Sequence, residues 1–146
     1  MDALKVGFSG TRYGLSPAQW YALSETLSIA LGDIGEIHHG DCVGADKDAH
    51  MMAVKLGIPI VIHPPENPAM RAWCGKAAEM RPPLPYMTRN RAIVDETEIL
   101  IAAPARLEPV KSSGTLLTLE YARKCERPVG LICPDGFVEW ERLANL

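Results

Sequence analysis

Short apolar runs alternate with stretches of helical period along most of the chain, and Gly, Ser or Pro marks nearly every junction. That alternation constrains the fold more than any other feature. Residues 4–9 form a strand-length apolar run that stops at Gly10. Ser16-Pro17 then opens a helix, with Ser as N-cap and Pro at the first helical position, where its missing N–H costs nothing. Trp20, Leu23, Leu27, Ile29 and Leu31 supply this helix with an expected buried stripe, and Gly32 ends it. Residues 36–39, 58–63, 98–103 and 128–132 read as further strands. Residues 45–56, 88–96 and 114–125 read as the helices between them. Strands separated by helices pair in parallel, because each helix returns the chain to the edge where it started. The expectation is an α/β protein: a Rossmann-like, doubly wound parallel sheet of about five strands in a single domain spanning residues 1–146.

Residues 64–85 break the pattern and hold half of the 12 prolines. A loop this long inside a compact domain is uncommon and usually functional; one or two helical turns are expected in it, around residues 69–79. The tail, residues 135–146, carries Phe137 and Trp140 and is expected to dock on the body. Hydrophobic residues at 47% and charged residues at 23% exclude disorder as the default. The net charge of −3 lacks the basic footprint of a sequence-blind nucleic-acid binder. No apolar run approaches the ~20 residues that span a bilayer, so no membrane association is expected. No secretory signal is visible, and the four cysteines include no CxxC pair, which points to reduced thiols in a cytoplasmic protein.

Three strand-to-helix turns fall on one edge of such a sheet: Gly10-Thr11-Arg12, then Gly40-Asp41-Cys42-Val43-Gly44-Ala45-Asp46, then Ser112-Ser113-Gly114-Thr115. Ligands of doubly wound folds sit beyond the carboxyl ends of the strands. A Gly-rich turn into a helix start is a cradle for phosphate or carboxylate, because unpaired N–H groups and the helix dipole both face the anion. Arg89-Asn90-Arg91 begins the helix after the Pro-rich excursion. A guanidinium suits phosphate, and Asn suits a base or ribose edge. Neighbouring helical positions lie ~100° apart, so one arginine can meet ligand while the other pairs with a carboxylate. His38, His39, Asp41, Cys42, Asp46, Asp48 and His50 gather titratable groups, but strand alternation sends His38 and His39 to opposite faces and no zinc spacing emerges. No metal and no other cofactor is expected. Cys42, near a helix start, is a thiol whose pKa could be lowered there.

Together these residues resemble the SLOG superfamily, which includes the DNA-processing protein A fold, the Lonely Guy phosphoribohydrolases and small YspA/YpsA-related proteins. The likeness runs from Val6 to Pro134. Gly10-Thr11-Arg12 looks like its G-[ST]-R turn, and residues 39–46 look like its HGxxxGAD helix. Arg89-Asn90-Arg91 looks like its RNR helix start, and residues 113–118 look like its SGT-xx-T loop. The resemblance implies binding of a nucleotide or nucleotide-derived small molecule. Gly10, Thr11, Arg12, Gly40, Ser113, Gly114 and Thr115 would line the phosphate side, with Thr118 beside them. Arg89 and Asn90 would clamp from above, and Asp46 would hold the second loop. One alternative is a nucleoside 5′-monophosphate N-glycosidase releasing base and ribose 5-phosphate, the one enzyme activity the resemblance suggests. The Lonely Guy hydrolases carry a catalytic Glu in GGxGTxxE. Thr118 stands at that place here, and Glu120 lies ~200° further round the helix. Asp41 or Glu120 would then be the catalytic carboxylate, with Arg89 on phosphate and Asp46 in reserve. The other alternative is single-stranded DNA binding, through a local patch of Arg71, Lys76, Arg81, Arg89 and Arg91 with Trp73 and Tyr86. Related folds pair, so a homodimer or higher homo-oligomer is expected.

Overall fold

The computed structural model describes residues 3–77, 79–108 and 113–146; Ser112 of the third turn lies outside them. Among the described residues seven strands form one sheet: β1 Leu4–Gly10, β2 Ile34–His39, β3 Ile60–Ile62, β4 Glu79–Met80, β5 Ile99–Ala103, β6 Val129–Ile132 and β7 Val138–Glu141. Their order is β4-β3-β2-β1-β5-β6-β7. All pairs are parallel except β6 with β7. Four helices, α1 Pro17–Glu25, α2 Ala45–Leu56, α3 Tyr86–Asp95 and α4 Gly114–Lys124, cover the two faces. Val6, Phe8, Ile37, Ile99 and Ile101 pack toward α1 and α2, and Leu100, Ala102, Val129 and Leu131 pack toward α3 and α4. This is a Rossmann-like α/β architecture.

The two strands beyond the expected five come from segments without a strand pattern. β4 is a two-residue edge inside the Pro-rich excursion, fastened where Arg81 N–H donates to Ile62 O at 2.8 Å. Prolines on both sides hold the excursion extended, so the expected helical turns shrink to one 3₁₀ turn, Pro68–Met70, capped by Asn67. The tail docks as β7, after a turn at Gly136 (φ 91°) that brings Trp140 over Gly130. Phe137 stays 64% exposed.

The α1 stripe also differs from expectation. Ala22, Leu23 and Leu27 are buried, whereas Trp20 and Ile29 are exposed. The helix widens into a π-turn over Thr26–Ala30, where Leu31 N–H reaches Thr26 O, so residue 29 leaves the face that a 3.6-residue period assigns it. Ser16 and Gln19 form a capping box. The buried Gln19 amide donates to Pro104 O and Ile132 O at 2.8 and 3.1 Å, tying α1 to the ends of β5 and β6.

The chain lays β2, β3 and β4 on one side of β1, then returns to β5 on the other side. The switch point therefore lies between the carboxyl ends of β1 and β5, where Thr11 N–H donates to Ala103 O at 3.0 Å.

Candidate ligand-binding site

The three turns do converge on the carboxyl edge, but they are not equivalent. The turn after β2 is filled by its own anion. Asp46, in the first turn of α2, accepts from Gly40 N–H and Cys42 N–H, both at 3.1 Å on Oδ2. The Ala45 N–H donates to Thr11 O at 2.8 Å. Gly44, at φ 96°, leaves no room for a side chain beside the Arg12 backbone. Asp46 is buried and its Oδ1 has no partner among the described residues. Burial pushes its carboxyl up to about 6, against the pull of Arg89 and the two amides. Gly40 and Asp46 thus stand inside the loop and hold it.

Arg89 is a correction to the expected clamp. It is 1% exposed and points inward. Its guanidinium donates to Gly40 O, to His63 O at 3.0 Å, to Asn90 Oδ1 at 2.7 Å and to Cys42 Sγ at 3.2 Å. Gly40 is required there, because a Cβ would sit 2.6 Å from a guanidinium nitrogen. Carbonyls at the ends of β2 and β3 are thereby satisfied by a buried side chain. Asn90 is buried in the same network. Arg91 instead lies beside the Tyr121 ring on the outer side.

What remains open is the switch point itself. Arg12 is exposed and hydrogen-bonded only to Tyr13 among the described residues. Ser113 caps α4 by accepting from Leu116 N–H at 3.2 Å, which leaves the Gly114 and Thr115 amides at the helix start with no partner among the described residues. The Tyr86 hydroxyl lies directly against Gly114, where any Cβ would overlap it. Tyr86 stacks over Arg89 at 5.2 Å. Sequence reasoning treated Tyr86 only as a stacking aromatic; its place three residues before Arg89, one helical turn away, was the available signal. Thr11 Oγ1 is taken by Tyr13 N–H, and Thr118 Oγ1 donates to Gly114 O at 2.7 Å, so both hydroxyls serve the turns themselves.

The carboxylates proposed for hydrolysis do not gather at this edge as free groups. Asp41 is fully buried at φ 55°; its Oδ2 accepts from Arg71 Nε at 2.7 Å and its Oδ1 from Cys74 N–H at 2.9 Å. Burial alone would raise its pKa, but the Cys74 amide and Arg71 outweigh burial and hold the carboxyl below the usual range. Glu120 is exposed while Thr118 and Leu119 are buried, so it projects from the solvent side of α4. Cys42 is no activated thiol: burial and Asp46 push its pKa up, and burial pushes Cys74 up to about 12.

The histidines form two pairs on opposite faces. His39 Nδ1 accepts from Asp41 N–H at 2.9 Å, which places the ring proton on Nε2, facing His50 Nδ1 at 2.9 Å. Cys74 completes this group. A metal-bound histidine normally donates from its second nitrogen, whereas here that nitrogen accepts, so the arrangement suits a hydrogen-bond chain. On the other face His38 meets His63 at 2.8 Å and Glu36 at 2.9 Å.

No family model matches the chain, and no curated protein sequence does. Solved structures do match. DNA processing protein A from Streptococcus pneumoniae superposes with a TM-score of 0.65 and 22% identity over 88% of this chain. A molybdenum cofactor binding protein from the phototrophic bacterium Rippkaea orientalis gives 0.66 and 22% over 90%. The structural-genomics target TM1055 gives 0.61 and 18% over 86%. These likenesses show a shared α/β fold. The chain spans 50% of the DNA processing protein, 72% of TM1055 and 77% of the cofactor-binding protein. The switch point carries exposed Arg12 and the start of α4, with the Tyr86 hydroxyl against Gly114.

Proposed function

We propose that the chain binds a nucleotide or nucleotide-derived small molecule at the β1–β5 switch point, with phosphate facing the start of α4 and Arg12. The carrying observation is that the Gly114 and Thr115 amides open a helix with no acidic residue in its first turn, on the sheet edge that also carries the exposed Arg12. One structural relative is named for DNA processing and another for molybdenum cofactor binding, which supports a small-molecule or nucleic-acid ligand. Binding is favoured over N-glycoside hydrolysis by the tying-up of Asp41 and the outward position of Glu120; Asp46 is the remaining carboxylate. A thermal-shift panel of nucleotides, cyclic nucleotides and dinucleotides tests the reading. A true ligand at a hundred times its Kd adds about 2.7 kcal/mol of stability. No stabilisation by any member refutes it, and free base appearing on chromatography would revive hydrolysis.

Single-stranded DNA binding is the second reading, supported by the exposed aromatics Tyr13 and Trp73, each beside an arginine. A mobility shift that fades steeply with salt is its signature. Cytoplasmic residence and a homodimer belong to the same proposal, and light scattering after size exclusion tests the dimer. Among the described residues no helix is long and apolar enough to cross a membrane.

A further inference from the structure

Trp73 is 63% exposed, yet its backbone sits at φ 58°, in the left-handed region that a bulky residue rarely adopts. Such a conformation persists only where its surroundings enforce it. Here a single buried carboxylate does so. Asp41 accepts from Arg71 Nε and Cys74 N–H on either side of Trp73, and the Asp41 carbonyl accepts from Ala72 N–H at 2.7 Å. Asp41 and Lys76 are also left-handed, at φ 55° and 58°. The Arg71 guanidinium lies 4.0 Å from the centre of the indole and covers one face. The loop therefore spends strain and a buried ion pair on presenting an aromatic ring to solvent.

The position of the ring fits the site above. Cys42 bridges to Arg71, and its Sγ accepts from Arg89, whose guanidinium lies under Tyr86, which touches Gly114. A backbone bridge from Arg71 to Cys42 and the contacts beyond it thus link the loop that carries Trp73 to the start of α4. We propose that Trp73 is the platform on which the base of the bound nucleotide stacks; this rests on the nucleotide reading. A ring already immobilised by Arg71 loses little freedom when a base lies on it. Every base offers a π-face, so the platform selects for the presence of a base rather than for its identity.

The test is titration of the full chain with the four nucleoside 5′-monophosphates, and with ribose 5-phosphate as the base-free control. Trp73→Ala should weaken the monophosphates about tenfold or more and leave ribose 5-phosphate unchanged, with Trp73→Phe intermediate. In a Trp20→Phe/Trp140→Phe background, Trp73 is the sole tryptophan, and its emission should be quenched by GMP but not by ribose 5-phosphate. This readout holds even if Trp73→Ala fails to fold. Monophosphates that bind Trp73→Ala as tightly as wild type, or that bind without quenching Trp73, overturn the platform alone. A wild-type chain that binds ribose 5-phosphate but gains nothing from a base also overturns it while sparing the phosphate site. If wild type binds none of these probes the platform falls, and the nucleotide reading falls with it when the thermal-shift panel shows no stabilisation either.

Discussion

Arg89→Met replaces the buried guanidinium with an apolar chain of similar length. The wild-type side chain supplies hydrogen bonds to Gly40 O, His63 O and Asn90 Oδ1, all inside the protein. A buried acceptor left without a donor costs about 1–3 kcal/mol. The variant strands up to three such oxygens and removes the cation that offsets buried Asp46. Against this stands the relief of no longer burying a charge, so a net loss of about 3–5 kcal/mol is expected. That is a large share of the roughly 5–15 kcal/mol that holds a domain together. For a chain of this size it corresponds to a fall in Tm of about 10–20 °C. Urea denaturation and thermal melting, both without ligand, measure it. Arg89→Lys, with a compact ammonium instead of a planar fork, should fall between the two. If Arg89→Met is as stable as wild type but has lost nucleotide affinity, Arg89 is a ligand clamp after all and the structural assignment is wrong.

Three further outcomes follow from the same geometry. Gly114→Ala forces a Cβ into the Tyr86 hydroxyl and should lower Tm; in a Tyr86→Leu background most of that penalty should vanish, as a double-mutant cycle would read. Burial lowers His39 to about 3 and His63 to about 4, below the ~6.5 of an unfolded histidine, so stability is full above pH 6.5 and falls with acid, by about 2 kcal/mol for each between pH 6.5 and 5. Asp46, raised to about 6, works in the opposite sense: its burial costs stability above pH 6, and the cost is relieved as pH falls toward 4. Asp46→Asn should therefore be more stable at pH 7 and lose stability more steeply below pH 6; unchanged urea midpoints across that range would contradict the assignment. Arg12→Ala should leave the urea midpoint unchanged, because the side chain is exposed, while weakening AMP and ribose 5-phosphate alike by about tenfold.

The fold was legible because its signals are local. The Ser16-Pro17 start, Gly57 at the end of α2, and the apolar runs of β1, β5 and β6 each report on their own backbone. The unread parts depend on partners distant in sequence. β7 is a strand because β6 offers it an edge, and β4 because β3 does. The burial of Gln19 depends on carbonyls 85 and 113 residues away. The separation of His38 from His39 was readable from strand alternation, but their partners His63 and His50 were not, since they arrive on β3's exit and on α2.

The neighbours in the candidate site were legible, their roles less so, and the reason is chemical. A turn that binds a foreign anion and a turn that binds its own share glycines, free amides and a following helix. The two differ in whether an acidic residue stands within reach. Residues 40–46 end in Asp46, in the first turn of α2, and that carboxylate takes the Gly40 and Cys42 amides. The helix α4 has no acidic residue in its first turn, and Ser113 covers only the Leu116 amide. Arginine follows the same logic. Arg12 lies on a loop whose nearest acceptor is a tyrosine hydroxyl, so it stays outside. Arg89 enters α3 beneath the unpaired carbonyls at the ends of β2 and β3, and those carbonyls claim it first. Donors at a sheet edge are thus available to a ligand only after the protein's own acceptors are satisfied. By that count the phosphate proposed above would meet free donors at α4 rather than at α2.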